Sequence, residues 1–195
     1  MEMNILYRYI RTSVFVLMLV SCQTTPKIEV QDPFEIRGRA IGLLTDTTKV
    51  AELDTIYKDD SIVKRIAGDE FIGSSNEIEV YAKGGKPLVT LEVSENFDPD
   101  ATVKTVQVIS PEFRTNRGMS ISDTFGEVKQ KHQIAKIDNL LSSVVVHLDT
   151  LGIYFSIDKK ELPEHFWSDT EAKVKVEDIP EEATIKNMWV TWPEL

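Results

Sequence analysis

Three histidines, His132, His147 and His165, are the side chains best suited to hold a metal or move a proton near neutral pH. A zinc-protease arrangement would place two of them at i and i+4 on one helical face, and no pair has that spacing. His147 sits inside the apolar run Val144-Val-Val-His-Leu148, which reads as a strand. His132 falls at the end of a helical stretch, where a cation suits the carbonyl end of the helix dipole. No shared metal site is expected from them. Glu95, Asn96, Asp98 and Asp100 could gather hard oxygen ligands for calcium. Yet that run lacks the length and the glycine of an EF-hand loop, and Asp98-Pro-Asp100 is ordinary turn chemistry. Ser120 and Ser122 stand in no Gly-x-Ser-x-Gly elbow, and Gly84-Gly85 lacks the Lys-Ser/Thr of a phosphate loop. Carboxylate pairs abound in an acidic chain and discriminate nothing. The expectation is a protein that is not an enzyme and carries no cofactor.

Composition narrows the partners. The 195 residues are 42% hydrophobic and 28% charged, which suits a folded protein rather than a disordered one. A formal charge of −10 disfavours nucleic acid, whose phosphates need clustered Lys and Arg. The first residues are different in kind. Arg8 and Arg11 precede the apolar run Val14-Phe-Val-Leu-Met-Leu-Val20, too short to span a bilayer, and Ser21-Cys22 follow at once. Leu19-Val20-Ser21-Cys22 resembles the lipobox of bacterial lipoprotein signal peptides. That resemblance implies that residues 1–21 are a removed signal peptide and that Cys22 becomes a lipidated N-terminus, including an N-acyl chain such as palmitate. Several acyl chains anchor far more firmly than one. Cys22 is the only cysteine, so no disulfide competes for it. By the same resemblance, Gln23 in place of Asp favours the outer membrane, with the protein facing the periplasm.

The elements that follow read as two similar runs. Residues 22–33 are a polar tether, 34–110 a first unit and 111–195 a second. Ala101-Thr-Val-Lys-Thr-Val-Gln-Val108 is echoed by Ala183-Thr-Ile-Lys-Asn-Met-Trp-Val190. Asp46-Thr47-Thr48 and Asp123-Thr124 each offer oxygens to cap a helix, and Glu127 completes a capping box with Thr124. Thr47 is thereby matched to Thr124. Val50, Leu53 and Tyr57 give the first helix an apolar stripe, and Phe125 and Val128 the second. Phe34 to Leu44 reads as an extended stretch loosened by Gly38 and Gly42. The fold class expected is α+β: a tandem duplication of a strand-helix-antiparallel-sheet unit, a pseudo-dimer in one chain.

Five segments fall in order: Gly42-Leu-Leu-Thr-Asp-Thr-Thr48, Lys83-Gly-Gly to Leu91, Thr102 to Val108, Gly118-Met-Ser-Ile-Ser-Asp-Thr-Phe125 and Ile185-Lys-Asn-Met-Trp-Val190. Together they resemble the sigma-E-regulated envelope lipoproteins, a domain family of unknown function. The resemblance implies an envelope location and an envelope-stress setting, and no catalytic residues. Lys159 to Glu182 interrupts the second unit and carries Phe166-Trp167 among charged residues. An aromatic pair in so long a loop is a candidate partner-binding anchor; the alternative is a plug on one end of the core. Trp189 and Trp192 fall on opposite faces of the last strand. The function expected is a lipid-anchored, non-catalytic binding or scaffolding module for an envelope protein. The alternative is a periplasmic carrier of a lipid or small molecule, held in a groove between the units.

Overall fold

Alternation of apolar and polar residues, which sends successive side chains to opposite faces of a strand, sets the architecture. A computed structural model describes residues 32–65, 76–93, 97–148 and 152–192. Its strands are Glu35–Arg37 (β1), Ala40–Ile41 (β2), Leu44–Thr45 (β3), Ser61–Arg65 (β4), Glu77–Tyr81 (β5) and Pro87–Val93 (β6). Val103–Val108 (β7), Arg114–Thr115 (β8), Ile134–Asn139 (β9), Ser143–Leu148 (β10), Ile153–Asp158 (β11) and Asn187–Thr191 (β12) complete the set. Two α-helices are short, Leu53–Ile56 (α1) and Phe125–Lys131 (α2).

Eight strands form one antiparallel sheet in the order β4-β5-β6-β7-β12-β11-β10-β9. Each half is a meander, and β7 joins β12 at the middle with Val106 opposite Val190 and Val108 opposite Met188. Ile78, Leu91, Val106, Val146, Phe155 and Met188 are fully buried on the inner face. Each such side chain contributes roughly 1.5–3 kcal/mol. The small sheet β3-β2-β1-β8 adds Ile36, Ile41 and Leu44 to the same core.

The expected α+β class is overturned, because among the described residues β-structure dominates and only α2, at seven residues, exceeds a single helical turn. The stripe Val50, Leu53, Tyr57 was too short to sustain a helix without tertiary support. It forms a 3-10 turn, Val50–Glu52, running into α1. Nor do two packed units exist. The halves share one continuous sheet, and β1 of the first half pairs in parallel with β8 of the second. Residues from Gln31 onward make one compact unit.

What the two halves share is narrower and lies in backbone hydrogen bonds. Val50 N–H donates to the Ala101 carbonyl at 2.9 Å, and Phe125 N–H to the Ala183 carbonyl at 2.8 Å. Ala51 and Gly126 donate in the same way to Pro99 and Glu181. The residue equivalent to Thr124 is therefore Lys49, not Thr47. Lys49 N–H meets the Glu52 carboxylate and Thr124 N–H the Glu127 carboxylate, each at 2.8 Å. Ala101 and Ala183 are buried and stand just before their strands, where the first turn docks on their carbonyls. At Thr124 the hydroxyl also accepts from Glu127 N–H. Thr124→Ala is expected to lower stability by about 1 kcal/mol, read from the urea midpoint.

Tyr57 supplies a pH-dependent term. Burial, with help from the charge of Asp60, pushes its hydroxyl well above the ordinary tyrosine value. The native state keeps the phenol neutral while the unfolded chain ionises near about pH 10. Its contribution is intact below that pH and is lost as the pH rises beyond it. Tyr57→Phe is expected to flatten this alkaline limb in a pH series of thermal melts.

The signal peptide expected at 1–21, Cys22 and most of the tether lie outside the described residues. No helix among the described residues is long and apolar enough to cross a membrane.

Candidate functional site

The outer face of the large sheet is where chemistry-bearing side chains converge. Strand register lines up Glu79, Thr90, Gln107, Trp189, Tyr154, His147 and Lys136 in one row running from β5 across to β9. Three rings in that row stack in succession. Trp189 and Tyr154 have centroids 5.4 Å apart at 14°, and Tyr154 and His147 5.5 Å apart at 25°. Such pairs contribute about 0.5–1.5 kcal/mol each beyond the area they bury, and they fix the side chains before any ligand arrives.

Polar bonds hold the row at both flanks. His147 Nε2 lies 3.0 Å from Asp138 Oδ2, and Lys136 Nζ lies 2.7 Å from Asp138 Oδ1. The bond to Lys136 chiefly, and that to His147 less, keep the Asp138 carboxyl below the usual carboxylate range. Gln107 Nε2 donates to Asn187 Oδ1 at 3.2 Å, and Asn187 Nδ2 to Ser156 Oγ at 3.3 Å. Further along, Arg65 donates to Glu79 at 2.6 Å and the Tyr81 hydroxyl to Glu79 at 2.8 Å. Partial burial, then the charge of Glu92, pushes the Tyr154 hydroxyl up.

Trp189 also walls a hollow of about 40 Å³ lined by Glu77, Thr90, Glu92, Thr105 and Gln107. Glu77 and Glu92 stand directly opposite each other on neighbouring strands. Like charges so placed are destabilising. The arrangement offers ring surface, amides and carboxylates that can accept and donate hydrogen bonds. Ser156 in this region is buried, and Asp138 engages His147 through Nε2.

The other candidates scatter. His132 is buried at the end of α2, with Nε2 3.0 Å from Thr115 Oγ1. His165 lies in the turn Glu164–Phe166 with its ring against Phe166. No group of three His, Cys, Asp or Glu among the described residues could hold a metal ion. Asp98 caps its own turn through Asp100 N–H, and Asp100 pairs with Lys49; Glu95 and Asn96 lie outside the described residues. Ser120 is buried and donates to the Pro111 carbonyl, so it braces the approach to α2.

Phe166 and Trp167 divide. Phe166 is 4% exposed and plugs the core, whereas Trp167 is 46% exposed, its Nε1 donating to the Leu162 carbonyl at 2.9 Å. Phe166 therefore follows the alternative reading, a plug on the core, while Trp167 stays at the surface. The segment that carries them is pinned rather than loose. Lys159 Nζ and Asn139 Nδ2 both donate to the Asp169 carbonyl, and Val174 and Ile179 are buried. Trp189 is on the open face and Trp192 packs against the core, in line with their opposite parity. At the seam where a carrier groove was expected, β7 is hydrogen-bonded to β12.

The row itself was missed from sequence. Period-two reading places His147 opposite Tyr154 within one hairpin. Bringing Trp189 beside Tyr154 needs the β11–β12 pairing, which joins residues about thirty-five positions apart.

No protein-family model matches the chain, and no curated protein matches it. Among solved structures, the uncharacterized protein yfeY from Escherichia coli is similar, with a TM-score of 0.49 and 14% sequence identity. The match covers 80% of this chain and 97% of that one.

Proposed function

We propose that the chain is a lipid-anchored protein of the bacterial cell envelope that binds another envelope component through the outer face of its large sheet, without catalysis. The observation that carries the binding reading is the stacked row Trp189–Tyr154–His147, braced by amide and carboxylate bonds. Half-buried aromatics on a sheet face, held rigid by their neighbours, lose little entropy on binding, and Trp and Tyr are enriched in binding hot spots. The lipobox at Leu19 to Cys22 supports the anchor, and Gln23 the outer membrane. The motif resemblance to the sigma-E-regulated envelope lipoproteins supports an envelope-stress setting. In this reading the membrane is contacted through the lipid on Cys22, and the sheet face is left for a protein partner.

A photo-cross-linking residue placed at Thr90 tests the face in cells. A discrete adduct is expected there, absent when the same residue replaces Lys83 in the distant hairpin, and lost in Trp189→Ala. Equal adducts from Thr90 and Lys83, or none from Thr90, would count against the sheet face. Metabolic labelling with an alkyne fatty acid tests the anchor: label on the chain is expected, and its persistence in Cys22→Ala would sink the lipidation reading.

A further inference from the structure

Among the described residues the large sheet ends at β9, which has a strand partner on one side alone, β10. Alternate backbone N–H and C=O groups of an edge strand point away from the sheet and remain available for pairing. Facing this edge is the segment 173–177, with Lys175 in extended conformation. No backbone hydrogen bond among the described residues joins the two. Between them lies an open groove of about 420 Å³. Its floor is apolar, with Ile134 and Ile137 from β9 and Val174 and Val176 from the facing segment, all packed on the core. Lys173 and Lys175 alternate with those valines and are exposed at the rim.

The charge is notable against the rest of the molecule. The groove is lined by Lys136, Lys173 and Lys175 against the single carboxylate Glu177, in a chain of net charge −10. Glu177 reaches Lys175 at 3.7 Å, while Lys173 has no carboxylate partner among the described residues. We propose that this groove takes an extended, acidic polypeptide segment of another protein, added to β9 as a further strand. Strand addition supplies main-chain bonds for affinity, and the alternate pockets supply selectivity. Here a segment alternating apolar and acidic residues matches both sides: apolar residues toward Ile137 and Val174, carboxylates toward the lysine rim. A second copy of this chain is a poorer occupant. A two-fold pairing of β9 with itself would bring the lysines of one rim toward those of the other. A lipid would satisfy the floor and the lysines but leave the strand edge unpaired.

The groove shares Lys136 with the Trp189 row but neither Trp189 nor its stacked partners, so the test distinguishes the two sites. The probe is a fluorescein-labelled octapeptide of alternating valine and glutamate, titrated with the full-length protein and read by anisotropy. Saturable binding is expected, unchanged in Trp189→Ala and weakened at least about tenfold in the double variant Lys173→Glu/Lys175→Glu. These lysines are exposed, so the variant should melt like the parent. An alternately N-methylated probe, unable to donate along one edge, is expected to bind at least about tenfold more weakly. Absent saturable binding, equal binding of the N-methylated probe, or equal binding of a valine–lysine octapeptide would each overturn the proposal. So would displacement of the probe by anionic phospholipid vesicles, which assigns the groove to lipid, or a sedimenting dimer that the probe dissociates, which assigns it to a second copy.

Discussion

Gly42→Ala is expected to destabilise the protein by roughly 2–5 kcal/mol, against about 1 kcal/mol for Gly38→Ala. Both glycines turn the chain between strands of the small sheet at positive φ, +57° for Gly42 and +49° for Gly38. Left-handed backbone costs an L-residue about 1–2 kcal/mol, partly offset by the lower entropy of the unfolded alanine chain. That term is common to both sites. What separates them is space. A Cβ on Gly38 meets nothing within 4 Å. One on Gly42 collides with the Pro33 carbonyl oxygen and comes within 3.1 Å of the Phe113 ring. Phe113 is 2% exposed and packs edge-on against Phe34 at 5.2 Å, so the ring has nowhere to retreat. Overpacking of this kind adds about 1–3 kcal/mol. Urea unfolding of the two variants side by side makes the comparison. If Gly42→Ala costs no more than Gly38→Ala, backbone strain alone accounts for the turn and the close approach is unimportant.

The same two glycines show where sequence reading stops. From Phe34 to Leu44, residue types suggest a loosened extended stretch, since a glycine raises the freedom of a strand without saying how the chain turns. The hairpin grammar elsewhere was legible because it is local. Gly84 and Gly85, at φ +103° and +84°, close the β5–β6 turn that their pairing announces. The capping box at Thr124 and Glu127 was legible for the same reason. The α+β class failed because it rested on a helical stripe in Val50 to Tyr57 whose length could not sustain a helix, and because sheet closure is non-local. Nothing in Ala101 to Val108 says that its partner is Asn187 to Thr191 and not a strand of its own half. The echo between those stretches is physical nonetheless. Each alanine presents its carbonyl to the first amide of a helical turn. The candidate site suffered from the same limit. Aromatic residues in a long polar loop drew attention to Phe166 and Trp167, whereas Trp189, Tyr154 and His147 become a group only when three strands from distant parts of the chain are laid side by side.

Trp189→Ala is expected to separate binding from stability. Neighbouring Met188 and Val190 are buried and keep β12 in the sheet, so the variant loses chiefly the stack on Tyr154. That loss is about 1 kcal/mol beyond the area the half-buried indole covers. Truncating a rigid aromatic anchor at the centre of an interface costs at least about 2 kcal/mol of binding, or roughly thirtyfold in affinity. Trp167→Ala is expected to cost stability alone. It gives up one hydrogen bond to the Leu162 carbonyl, worth about 0.5–1.5 kcal/mol of stability, and leaves binding at the sheet face unchanged. The cross-linked adduct from Thr90 reports binding and thermal unfolding reports stability, so Trp189→Ala registers in both readouts and Trp167→Ala in the second alone. Were the adduct to survive Trp189→Ala and vanish in Trp167→Ala, the recognition surface would belong to the pinned segment over the end of the core. The stacked row would then be a device for stiffening the sheet, its rings satisfied by one another and by the bonds at Asp138 and Asn187.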